Sequence, residues 1–149
     1  MDVKGKKVSV IGARRSGLAA AELLAEAGAT VFVSELGRIS PVEADRLAAR
    51  GIAWEAAGHS GRVCDADFCV VSPGIPRTAG VVRQVLREGI PLFSEIEAAS
   101  WFCSARVAGI TGTDGKTTTA TLLHSIAEAD GAAKGYRAFS AGNIGVPFS

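Results

Sequence analysis

Short blocks of consecutive apolar residues alternate along this chain with longer stretches whose apolar positions recur at helical spacing. Residues 7–11, KVSVI, form the first block and predict a buried strand. The turn GARRSG follows, and 17–27, GLAAAELLAEA, predicts an Ala- and Leu-rich helix that Gly28 stops. Residues 30–34, TVFVS, carry the β-branched and aromatic content of a second strand. Ser40-Pro41 opens a helix over 41–50, and 52–56, IAWEA, predicts a short third strand. A fourth strand is expected over 67–71, a helix over 78–88, a short strand over 90–93, and a helix from Glu95 capped by Ser94. Residues 105–111, ARVAGIT, read as a strand, 117–129 as a helix, and a last strand is expected around 136–140.

Strands alternating with helices at this interval imply a parallel, doubly wound α/β sheet. The pattern divides into a Rossmann-like domain over 1–103 and, over 104–149, the start of a second domain with its own strand, loop and helix. No repeat, linker or low-complexity tract interrupts it.

Composition removes some classes of function. The 149 residues are 48% hydrophobic and 21% charged, with a net charge of +1. A nearly neutral chain without a basic stripe gives no electrostatic case for nucleic acid. No run approaches the ~20 apolar residues of a membrane span, and no signal-peptide core follows Met1. Cys64, Cys69 and Cys103 match no zinc spacing and read as small thiols in apolar surroundings. Together these point to the cytoplasm, without membrane insertion. His59 and His124 lack partners at metal or triad spacing, and Trp54 and Trp101 are expected to pack.

The loop GITGTDGKTTT, 109–119, carries the most specific chemistry. A strict phosphate-binding P-loop, G-x-x-x-x-G-K-[ST], wants Gly at position 110, where Ile110 stands. Gly112, Gly115, Lys116 and Thr117 remain, between an expected strand and an expected helix. Glycines there let backbone N–H groups approach phosphate oxygens, and the helix N-terminus favours an anion. Lys116 would reach the terminal phosphates and the Thr117 hydroxyl would ligate Mg²⁺. A plain Gly-rich turn also explains the glycines, but it has no need of a Lys that opposes the helix dipole.

The first turn, GARRSG at 12–17, departs from the dinucleotide fingerprint. Arg14 occupies the place of the middle Gly that lets a pyrophosphate approach, which disfavours an NAD(P)-binding domain. Gly12, Gly17 and the acidic Glu35 retain the outline of a nucleotide crevice at the strand ends. Solvated surface arginines account equally well for Arg14 and Arg15, and an ordinary exposed carboxylate is the lesser alternative for Glu35.

The segment ITGTDGKTTT resembles the ATP loop of the Mur ligases and the related folylpolyglutamate synthetases. VVSPGIP at 70–76, SEIEAA at 94–99 and AGNIGVP at 141–147 follow in the order and spacing of the D-glutamate-adding branch of that family, so the resemblance spans essentially the whole chain. It implies an ATP- and Mg²⁺-dependent ligase of peptidoglycan synthesis. In that reaction the carboxylate of UDP-N-acetylmuramoyl-L-alanine attacks the γ-phosphate of ATP to give an acyl phosphate, and the amine of D-glutamate then attacks the activated carbonyl and expels phosphate. It assigns ATP to Gly112, Thr113, Asp114, Gly115, Lys116, Thr117 and Thr118, with Lys116 and Thr117 catalytic. Asp114 departs from the Asn usual there, and adds a carboxylate beside the phosphates. The resemblance places the UDP moiety against Ser16, Gly17, Glu35, Ser72, Pro73 and Gly74, with Glu35 near the uracil, and the muramoyl end near Asn143. It also implies that the D-glutamate site, a further acidic Mg²⁺ ligand and a modified lysine lie beyond Ser149. The chain alone would then be inactive, with an incompletely covered second domain open to self-association. A non-catalytic module that holds a UDP-sugar peptide, or another Mur-type ligase, is the alternative.

Overall fold

A computed structural model describes residues 1–142 and 148. The chain divides into two compact units, Met1–Cys103 and Ser104–Phe148.

The first unit is a five-stranded, wholly parallel sheet. Its strands are β1 (Lys7–Ile11), β2 (Thr30–Ser34), β3 (Ala53–Glu55), β4 (Phe68–Val71) and β5 (Leu92–Ser94), in spatial order β3-β2-β1-β4-β5. The helices of this unit are α1 (Arg15–Glu26), α2 (Pro41–Ala49), α3 (Gly80–Arg87) and α4 (Glu95–Ser100). A 3-10 turn that the apolar pattern does not announce, Gly61–Cys64, precedes β4.

The alternation of side chains along β1 divides the core between the two faces of the sheet. Val8 and Val10 join Leu18, Ala21 and Leu24 of α1, Leu47 of α2 and Ala98 of α4. Ile11 packs on the other face with Val81, Val82 and Val85 of α3. Phe68 anchors the first cluster through edge-on contacts with Phe93 and Trp101, at 5.7 and 5.6 Å between ring centres. Trp101 therefore packs as expected, while Trp54, on the edge strand β3, is 39% exposed. Of the three thiols only Cys69 is buried outright.

Local signals fix the helix ends. Ser40 and Glu43 close a reciprocal capping box at α2, with Pro41 in the first turn. Ser94 accepts from the Glu97 N–H and so starts α4, where the sequence puts it. A cap of this kind stabilises a helix by about 1 kcal/mol.

The second unit departs from expectation. Residues 105–111 form no strand, and none is assigned over 136–140. A parallel strand needs hydrogen-bond partners beside it. Among the described residues the second unit offers only one element, the helix α5 (Lys116–Lys134). The apolar run therefore stays irregular, with Val107 largely exposed. Helix α5 runs five residues past the expected end. Its interior Gly131 lies under Tyr136, where a Cβ would come within 2.5 Å of the Tyr136 carbonyl oxygen. Gly135, at φ 76°, then ends it. Among the described residues no helix is long and apolar enough to cross a membrane.

Candidate functional site

The loops after β1, β2 and β4 meet at the carboxyl edge of the sheet, where the connections leaving the neighbouring strands β1 and β4 turn to opposite faces. This is where open parallel sheets bind ligands. Gly12 sits at φ 98°, and its N–H donates to the Ser34 carbonyl at 2.8 Å. A Cβ on Gly17 would lie 2.0 Å from the Gly12 carbonyl oxygen and 2.6 Å from Ser72 Oγ. Position 17 therefore admits only glycine if α1 is to start this close to β1 and β4. Ser72 is buried; its N–H donates to the Ile11 carbonyl at 3.0 Å and its hydroxyl to the Gly12 carbonyl at 3.4 Å. Ser72 thus braces the turn from below.

Glu35 has a role that periodicity does not suggest. Its Oε2 accepts the Ala13 N–H at 2.7 Å and its Oε1 the Gly37 N–H at 2.8 Å. One carboxylate ties the β1–α1 turn to the loop after β2. Arg14 and Arg15 are exposed at the start of α1, Ser16 is half-buried beside them, and Pro73 and Gly74 are exposed after β4. The fold therefore gathers Gly12, Gly17, Glu35 and Ser72 around one turn. Asn143 lies outside the described residues.

One cluster at the same edge escapes the sequence. His59, without a partner at triad spacing, lies with its Nδ1 2.7 Å from Ser34 Oγ, which is itself 2.6 Å from Glu55 Oε1. The partners are 25 and 21 residues away from Ser34, so only strand pairing brings them together. Burial alone would raise the Glu55 pKa. Bonds from Ser34 and Ser60, with the Arg62 charge, outweigh that and hold it below the ordinary value. Cys69 is no nucleophile: burial pushes its thiol up to about 12.

In the second unit, Gly112 (φ 146°) and Gly115 (φ 73°) take left-handed backbone that other residues rarely adopt. Gly115 caps α5, whose first internal bond runs from the Thr119 N–H to the Gly115 carbonyl at 2.9 Å. The N–H groups of the first turn have no partner within the helix. The Lys116 ammonium folds back, donating to the carbonyls of Gly112 and, at 2.8 Å, Thr113. Thr113, Asp114, Thr117 and Thr118 are all exposed around it. Among the described residues no group of three or more His, Cys, Asp or Glu side chains could hold a metal ion. The oxygens this loop could offer a metal are the Asp114 carboxylate and the Thr113, Thr117 and Thr118 hydroxyls, too few acidic groups to form such a cluster.

The MurD N-terminal domain matches residues 7–81, just over half of the chain. The chain belongs to that family. The matched stretch of the MurD N-terminal domain holds β1 to β4 and the turn at 12–17. Two curated relatives, both named UDP-N-acetylmuramoylalanine–D-glutamate ligase, match the whole chain. The protein from Chlorobium limicola is 76% identical and that from Chlorobium phaeobacteroides 66% identical. The chain spans 32% of the length of each. Among solved structures, the UDP-N-acetylmuramate:L-alanyl-gamma-D-glutamyl-meso-diaminopimelate ligase (MPL) from Neisseria meningitides superposes with a TM-score of 0.60 at 29% identity. That match covers 85% of this chain and 40% of that one.

Proposed function

We propose that this chain supplies the UDP-binding unit and the start of the ATP-binding unit of a cytoplasmic ligase that joins D-glutamate to UDP-N-acetylmuramoyl-L-alanine. The observation that supports this most is the 76% identity, over all 149 residues, to a relative of that name. The first unit holds the UDP moiety. Its diphosphate lies against the turn at 12–17, where Ser16 and the opening amides of α1 donate to it. Ser72, Pro73 and Gly74 wall the crevice on the β4 side, and Asn143 meets the muramoyl end.

The loop from Gly112 to Thr118 takes ATP. Lys116 exchanges its two carbonyl partners for phosphate oxygens, and Thr117 would hold Mg²⁺, which neutralises phosphate charge when bound. The residues present fit this role, since the first-turn amides and the Lys116 ammonium point to an anion. With Lys116 on the phosphate oxygens, the substrate carboxylate can attack the terminal phosphorus, and the acyl phosphate forms as the bond to the β-phosphate breaks and ADP leaves. No residue described here is assigned to D-glutamate, and the chain by itself is proposed to bind both nucleotides without turnover. The exposed apolar side chains of α5 give self-association a surface.

Calorimetry on the chain separates the readings. Binding of UDP-N-acetylmuramoyl-L-alanine and of ATP with Mg²⁺ is expected, with Lys116→Ala losing the second and keeping the first. Binding of the UDP-sugar peptide alone would favour a non-catalytic module, and binding of NAD would favour a dinucleotide domain. Release of phosphate by the isolated chain in the presence of D-glutamate would refute its proposed inactivity.

A further inference from the structure

The function proposed above assigns no role to the cluster at the ends of β2 and β3. Ser34 Oγ, on a fully buried residue, contacts Glu55 Oε1 at 2.6 Å and His59 Nδ1 at 2.7 Å. Glu55 Oε1 also accepts the Ser60 N–H at 2.8 Å. Counting protons settles the directions. Glu55 is ionised at neutral pH, since its pKa is held below the ordinary value, and a carboxylate only accepts. Ser34 has a single hydroxyl proton, which goes to Glu55. The Ser34 oxygen must then accept from His59, so Nδ1 carries a hydrogen.

Backbone bonds connect this cluster to the β1–α1 turn. The Glu35 N–H donates to the Glu55 carbonyl at 3.1 Å, the Ala57 N–H to the Gly37 carbonyl at 2.7 Å and the Gly58 N–H to the Glu35 carbonyl at 3.3 Å. Ala57 is held at φ 60°, a conformation that a residue with a Cβ adopts only under constraint. Segment 55–60 is thus stitched along 35–37, and the Glu35 carboxylate grips the Ala13 and Gly37 amides.

We infer that Ser34, Glu55 and His59 form a positioning relay: His59, hydrogen-bonded through Nδ1–H, locks segment 55–60 onto residues 35–37 and, through Glu35, sets the Gly12–Ala13 turn that faces the diphosphate. The last link rests on the proposed UDP site; the relay itself does not.

Nitrogen-15 NMR of the chain reads the His59 ring directly. Protonation at Nδ1 is expected, and a neutral ring protonated only at Nε2 overturns the inference. Amide hydrogen exchange reads the coupling without ligand. In Ser34→Ala, exchange at Ala13 is expected to quicken about tenfold, the worth of one good hydrogen bond. Leu24, in the core of α1, should keep its protection; unchanged exchange at Ala13 overturns the relay. A second pair guards against simple unfolding. His59→Asn keeps a donor where Nδ1 stands, and His59→Gln moves it to the place of Nε2. UDP affinity should stay within about twofold in the first and fall about tenfold in the second. Equal effects of the two on UDP affinity and on Ala13 exchange overturn the relay. If the unaltered chain does not bind UDP, the proposed function fails, and the ring protonation and exchange results alone decide the relay.

Discussion

The two units put similar apolar residues to opposite use. In Met1–Cys103, Val8, Val10, Leu24 and Phe68 are at most 1% exposed, whereas in Ser104–Phe148, Val107, Leu122 and Ile126 are all more than 60% exposed. Helical spacing is enough to form a helix when the caps are right, and α5 runs 19 residues between two left-handed glycines. It is not enough to bury one face of that helix. Burial needs a second layer, and in the first unit the parallel sheet provides it on both sides.

The sharpest way to break this contrast is to shorten one large side chain in each unit. Phe68→Ala should destabilise the first unit by about 3–5 kcal/mol, as large core truncations do. Ile126→Ala should stay within about 0.5 kcal/mol. Denaturant unfolding followed by Trp101 fluorescence and far-UV circular dichroism measures both, and comparable losses would erase the distinction. Glycines give a smaller effect. Gly17→Ala meets backbone and should cost about 1–3 kcal/mol by overpacking. Gly115→Ala has open space around it and should act through left-handed strain alone, about 1–2 kcal/mol and confined to α5. The same melts, with helix content read separately, distinguish a global loss from a local one.

The smallest effect is a pH limb. The folded pKa of Glu55 lies below its unfolded value, so its contribution to stability is present above about 4.5 and disappears as pH falls through the folded value. Glu55→Gln should flatten the acid side of the stability curve. Asp130, in the second unit, is also lowered, first by the Tyr136 hydroxyl and then by Lys134, but it lies half-buried on α5, outside the core of the first unit. Asp130→Asn should leave the acid unfolding of the first unit unchanged. Titration of unfolding midpoints between pH 3 and 7 tests the pair, and a matching shift in Asp130→Asn would count against it.

Most of the first unit was legible because its signals are local: apolar runs for β1, β2 and β4, Ser40-Pro41 for α2, Ser94 for α4. The strand expected at 105–111 does not form, and that marks the reach of such local signals. ARVAGIT looks like a strand, but becoming one depends on partners that periodicity cannot supply. The sites divide in the same way. Gly112, Gly115 and Lys116 announce themselves within a few residues. The Ser34–Glu55–His59 contacts exist only after β2 and β3 pair, and the grip of Glu35 on Ala13 only after the turn folds beside β2. In the sequence, a Glu closing a short strand and a His four residues later were the sole hint.

If this loop takes ATP as proposed, the folded-back ammonium of Lys116 makes capture of the anion an exchange. Any incoming group must first release two carbonyl oxygens from the lysine, so a ligand with a single weak oxygen merely replaces what it removes. A chain of phosphates offers several at once and exceeds it. Under the proposed function the loop would select by charge density before shape enters, at the expense of absolute affinity.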